Sequence, residues 1–169
     1  MVLRAVLDTN VWLDWLVFDD PCVAPIREAH EAGRLEIVIA AEGEAELARV
    51  LAYERGRHTR DAEAQAACLA ECRKIARRIE AGLHEAQRAR LPVCRDRDDQ
   101  QFLEAALASG ADFLITKDRA LLELALRQAQ RERLQAQGER GLPFAIVAPA
   151  DFAALTTPRA ARSSGRSWW

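Results

Sequence analysis

The sequence predicts a three-layer α/β/α domain on a central, mainly parallel sheet. Short apolar runs of strand length at 3–7, 35–40, 111–116 and 144–147 alternate with longer segments of helical period. Strands separated by helices are the signature of such a sheet. The chain has 169 residues, half apolar and 30% charged, which suits one soluble domain with a substantial core.

Composition excludes several classes. The formal net charge is -2, so this is no polycation that coats nucleic acid, and any such contact needs a local basic patch or a bound metal. No apolar run approaches the ~18 residues of a membrane helix. Met1 leads straight into a strand rather than a signal peptide. Cys22, Cys68, Cys72 and Cys94 form no disulfide framework, and His58 and His84 are poorly spaced for zinc. A reduced, cytoplasmic protein with spectator thiols is expected, with no membrane partner.

In chain order, the first strand stops abruptly on Asp8-Thr9-Asn10, residues that end a strand and open a helix. A short apolar helix start follows at Val11-Trp12-Leu13. Pro21 and Pro25 bracket a loop into a helix over 26–32, and Gly33 stops it. Residues 35–40 read as a strand buried on both faces. A helix over 42–54 carries Leu47, Val50 and Leu51 on one face. Residues 59–90 read as a long helical region with the stripe Leu69, Cys72, Ile75, Ala76, Ile79 and Leu83, which Gly82 can break. Arg57, Arg60, Arg73, Lys74, Arg77 and Arg78 there read first as a solvated face. A brief extended piece at 91–94 leads into a helix over 100–109, which Gly110 ends. The third strand stops at Lys117-Asp118, and a helix runs from Arg119 to about Gln137. The last strand precedes a short helix opening at Pro149. Residues 1–155 thus form the domain, and 156–169, with Arg159, Arg162 and Arg166, a flexible basic tail.

Acids gather at one edge of this fold. Asp8 ends the first strand and Asp118 the third, while Asp96, Asp98 and Asp99 precede the helix that leads into the third. Right-handed crossovers bring strand ends and following helix starts to the same edge. Phe102, Leu103 and Ala106 lie three, four and seven residues past Asp99, which puts Asp99 on the stripe facing the sheet. Asp98, with Gln101 three residues on, fits a capping role. Phasing leaves Glu44 and Glu46 equal as a fourth acid. Singly, such aspartates are most often helix caps. Jointly they would repel one another without a cation among them. Oxygen ligands without His or Cys favour Mg²⁺ or Mn²⁺. That chemistry suits phosphodiester hydrolysis, where metal holds the phosphate, activates water and stabilises the leaving oxygen.

Four pieces in order now resemble the PIN-domain nucleases: Val6-Leu7-Asp8-Thr9-Asn10-Val11, Glu46-Leu47-Ala48-Arg49-Val50-Leu51, 94–103 and 111–118. The pattern is most similar to the VapC-like branch, toxin components of bacterial toxin–antitoxin pairs. The resemblance implies a compact α/β/α fold and a Mg²⁺- or Mn²⁺-dependent endoribonuclease that holds one or two ions. It implies the quartet Asp8, Glu46, Asp99 and Asp118, and so favours Glu46 over Glu44. Asn10 and Thr116 match supporting polar positions, and Asp96 matches an acid that either steadies the ligands or joins them. RNA as substrate, a cognate antitoxin and pairing into a homodimer follow from the same resemblance. Two residues depart from the branch: Lys117 stands where glycine is usual, and Arg97 where proline is frequent. Lys117 either contacts substrate phosphate or partly neutralises the site. Arg95 and Arg119 are further phosphate contacts. The 123–141 segment is long for the family. The rival reading is a PIN-fold module that binds RNA or protein without turnover. An aspartate-based phosphotransferase needs a second Asp two residues after the first, and Asp8 is followed by Thr9 and Asn10.

Overall fold

The structure, a computed structural model, describes residues 1–53, 62–134 and 141–156, with the side chains of 131–134 set aside. Five parallel strands form one sheet in the order β3-β2-β1-β4-β5. They are β1 (Leu3–Leu7), β2 (Leu35–Ala40), β3 (Ala76–Ile79), β4 (Phe113–Ile115) and β5 (Ala145–Val147). The helices are α1 (Thr9–Leu13), α2 (Ala24–Glu31), α3 (Ala41–Ala52), α4 (Ala62–Ile75), α5 (Glu85–Arg88), α6 (Arg97–Ser109), α7 (Arg119–Leu134) and α8 (Pro149–Thr156). A turn of π-helix (Asp14–Phe18) extends α1, and a 3-10 turn (Pro21–Val23) precedes α2.

Alternation along the strands sends side chains to opposite faces. Ala5, Leu7, Ile37 and Ile39 pack on one side with Trp12, Ile26, Leu47 and Phe152. Val6, Val38, Leu114 and Ile146 pack on the other with Phe102, Leu103, Ala106 and Leu121. Helices cover both faces, so the strands are apolar nearly throughout. The three-layer expectation holds.

Two expectations need correction. Residues 76–79 are a strand, not part of a helix: Ile37, Val38, Ile39 and Ala40 pair with Ala76, Arg77, Arg78 and Ile79. The segment satisfies its backbone on β2, and Arg77 Nε reaches Glu36 Oε1 at 2.6 Å across the pair. Sheet pairing overrides a helical pattern that no breaker interrupts before Gly82. The other correction concerns α6. It begins at Arg97, with Asp96 rather than Asp98 as its cap, since Asp96 Oδ1 accepts from the Asp98 N–H at 3.0 Å. Residues 91–94 form no strand. Arg57, Arg60 and the 156–169 tail beyond Thr156 lie outside the described residues, as does the predicted helix end near Gln137.

Among the described residues of the basic crowd around α4, Arg73, Lys74, Arg77 and Arg78 make ion pairs. Arg73 and Arg78 approach Glu44 at 2.5 and 3.6 Å, and Lys74 approaches Glu71 at 3.0 Å.

Candidate functional site

The strand order places a switch point beside β1. From β1 the chain crosses to β2 on one side, while β4 and β5 lie on the other. The crevice past the carboxyl ends at such a point is the usual ligand site of open α/β sheets. Leu7 and Ile115 are register partners there, so Asp8 and Thr116 leave the sheet side by side.

Asp8 is buried and doubles as the cap of α1. Its Oδ1 accepts from the Val11 N–H at 2.9 Å, and its Oδ2 from the Thr116 hydroxyl. The N–H groups of Lys117 and Asn10 also face it. Burial nonetheless raises its pKa, outweighing those donors. Thr116 accepts the Asp118 N–H at 2.9 Å, so its single hydroxyl proton is directed at Asp8. Asp118 in turn accepts from the Leu121 N–H at 3.0 Å, which holds it at the start of α7.

Glu46 joins from α3. Its Oε1 accepts from the Thr9 hydroxyl at 3.0 Å, and its Oε2 from the Gln101 amide. Glu44 faces the other way, buried against Arg73 and Arg78. Helix α3 therefore presents Glu46, not Glu44, toward Asp8 and α6.

The Asp99 carboxylate accepts no hydrogen bond among the described residues. Burial, then the charges of Asp118, Asp96, Asp8 and Glu46, push its carboxyl up to about 6. All five acids thus share one electrostatic space. It also forms a wall of a cleft of about 290 Å³, lined further by Cys94, Arg95, Leu121, Leu124 and Arg127. The Cys94 thiol is pushed up to about 11 by burial and by Asp99, Asp118 and Asp96.

The donor set fits a hard divalent cation. It is all oxygen, and its members raise the Asp99 carboxyl by mutual repulsion. Yet no three of these acids bring ligand oxygens within 4.8 Å of one another. Among the described residues, only Asp14, Asp20 and Cys22 do so. The acids therefore ring a space rather than close on a point. Mg²⁺ tolerates this, because it usually takes one or two carboxylates and keeps several waters.

The family model for the PIN domain matches residues 4–120. The chain belongs to the PIN-domain family. No curated protein sequence matches it significantly. The crystal structure of VapBC2 from Rickettsia felis bound to a DNA fragment from their promoter contains a chain of similar fold. The TM-score is 0.56 at 13% identity, over 86% of this chain and 98% of that one. The PIN model stops at the first turn of α7, while β5 and α8 continue the same sheet and core.

Within this PIN domain, the remaining predicted residues divide. Asn10 is exposed and contributes its backbone N–H, not its side chain. Asp96 caps α6 and faces Asp99 by charge. Arg95 and Arg119 are exposed, and no ion pair engages them among the described residues. Lys117 points elsewhere: its Nζ lies 2.7 Å from Asp14 Oδ2. It neutralises Asp14, not the quartet. Two contributors went unpredicted, namely Thr9 and Gln101. Thr9 sits inside the Asp-Thr-Asn piece and was legible as part of it. Gln101 stands 55 residues from Glu46, and nothing in the sequence links them.

Proposed function

We propose that the protein is a Mg²⁺- or Mn²⁺-dependent endoribonuclease and the VapC-like toxin of a toxin–antitoxin pair. The observation that carries the reading is Asp99. It is an unbonded carboxylate held among four other acids at the switch point, which a bound cation would relieve. Asp8, Glu46, Asp99 and Asp118 would hold one or two ions, with Asp96 as an outer support. A divalent cation supplies charge for the scissile phosphate and lowers the pKa of a bound water. The chain's own residues do the rest. Val11, Thr116 and Lys117 aim Asp8 into the crevice and partly offset the effect of burial on its carboxyl. Thr9 and Gln101 fix both oxygens of Glu46. Arg95 and Arg119, free of ion pairs among the described residues, position the RNA backbone. An antitoxin that covers this crevice would silence it, and two copies of the chain would pair as a homodimer in a reduced cytoplasm.

RNA cleavage tests the reading. Wild-type protein with Mn²⁺ should cut RNA, and Asp8→Asn should lose at least a hundredfold, as expected when a group central to metal chemistry is removed. Equal cleavage by both proteins would overturn it. If wild type binds RNA tightly but never turns over, the module reading replaces it.

A further inference from the structure

One buried charge is unused by the site. Asp14 lies at the end of α1 and is 6% exposed. A carboxylate so buried needs a counter-charge. Asp20 and Cys22 are near enough to complete a cation site with it. The chain already supplies that cation, because the Lys117 ammonium sits on Asp14 Oδ2 at 2.7 Å. Cys22 Sγ approaches the same oxygen at 3.7 Å. The groups acting most strongly on the ammonium are Asp14, Cys22 and Asp20, not the acids at the crevice.

The backbone around Lys117 does different work from its side chain. Thr116 donates to Asp8, the Lys117 N–H faces Asp8, and the Asp118 N–H bonds back to Thr116. The turn 116–118 therefore carries the contacts that orient both Asp8 and Asp118. Its near end is held by the Thr116 N–H on the Val147 carbonyl at 3.0 Å. Its centre is held by the Lys117 side chain. Asp8 begins α1 and Asp14 follows its last residue, so a ring closes: Asp8, α1, Asp14, Lys117, Thr116 and back to Asp8.

The geometry points to Lys117 as a positioning residue: its ion pair with Asp14 clamps the 116–118 turn to α1 and so sets the spacing of Asp8 and Asp118 across the crevice. This rests on reading those two acids as metal ligands. It reassigns Lys117 from a substrate-phosphate contact.

Three measurements on Lys117→Met, Asp14→Asn, their double variant and Lys117→Arg test the clamp. In metal-free protein, amide exchange at Asp118 should quicken about tenfold in either single variant, as local opening becomes easier. Mn²⁺ affinity by calorimetry should fall about tenfold, the scale of outer-shell effects. In RNA cleavage, kcat should fall with KM unchanged. The double variant should be no worse than the worse single one, because both remove one interaction. Lys117→Arg should restore most of each value. Thermal melts report folding, and the exposed face of Lys117 makes Lys117→Met the safer variant. A raised KM with unchanged Mn²⁺ affinity and unchanged Asp118 exchange would overturn the clamp in favour of a phosphate contact. Wild-type protein that binds no Mn²⁺ overturns the metal-site reading itself, while the Asp118 exchange rate still decides the clamp.

Discussion

Asp99 shows what gathering these acids costs the fold. Its carboxyl is pushed up to about 6 by burial first and then by four acids. A folded pKa above the unfolded ~3.9 means the folded state binds more protons between those values. The stabilising contribution is therefore full below about pH 4 and is lost as pH rises through about 6. In EDTA, the wild type should melt at lower temperature at pH 7.5 than at pH 5 through this group. Asp99→Asn should raise the pH 7.5 melting temperature and flatten that slope, while abolishing Mn²⁺ binding; scanning calorimetry checks both. A melting temperature that falls in Asp99→Asn would contradict the repulsion account. Thr116 is the opposite case. Its hydroxyl is fully buried and serves Asp8 and the Asp118 N–H at once. Thr116→Val keeps the shape and orphans both, so urea denaturation should show a loss of about 1–3 kcal/mol.

At the scale of elements, α3 separates two acids that share one helix. Glu44 is buried against Arg73 and ties α3 to α4, while Glu46 reaches Thr9 and Gln101 at the crevice. Glu44→Gln should lower stability and leave Mn²⁺ affinity within twofold, whereas Glu46→Gln should weaken Mn²⁺ binding at least tenfold with little change in melting temperature. Paired calorimetric titrations and melts distinguish the two. Phasing could not make this choice, because both residues flank the same apolar face and the helix start was uncertain by a turn. The same limit explains α6. Its stripe of Phe102, Leu103 and Ala106 was readable and turned Asp99 inward, but the cap depends on local backbone geometry, which went to Asp96. Strands β1, β2 and β4 were legible because central parallel strands are apolar runs, and β5, although at an edge, is an apolar Ala-Ile-Val run as well. Strand β3 was not: it is an edge strand with exposed Arg77 and Arg78, so it lacks that mark. The Asp14–Lys117 pair joins residues 103 apart and had no local signal at all.

Across the whole molecule, charge sets how RNA would approach under the proposed ribonuclease reading. The chain carries 24 basic and 26 acidic residues, and many of the cations near the sheet edges are tied up in ion pairs with Glu36, Glu44 and Glu104. The crevice itself gathers five acids, and among the described residues Arg95 and Arg119 are cations beside it that no ion pair engages. Polyanion binding to such a face is unfavourable until the acids are neutralised, since phosphate contacts dominate nucleic-acid affinity. The divalent ion is thus expected to act as the main RNA-binding charge as well as the catalytic one. Ca²⁺ separates these roles, because it takes oxygen ligands but has a larger, looser coordination sphere than Mg²⁺. Fluorescence anisotropy with a short single-stranded RNA should show at least fivefold tighter binding in Ca²⁺ than in EDTA, with no cleavage. The gain should vanish in a Glu46→Gln/Asp99→Asn variant. Arg95→Ala should weaken binding in both conditions and reduce the salt slope by about one phosphate contact. RNA that binds equally well in EDTA would mean that a basic surface other than this crevice captures it, and the assignment of Arg95 and Arg119 as the guiding cations would fall with that result.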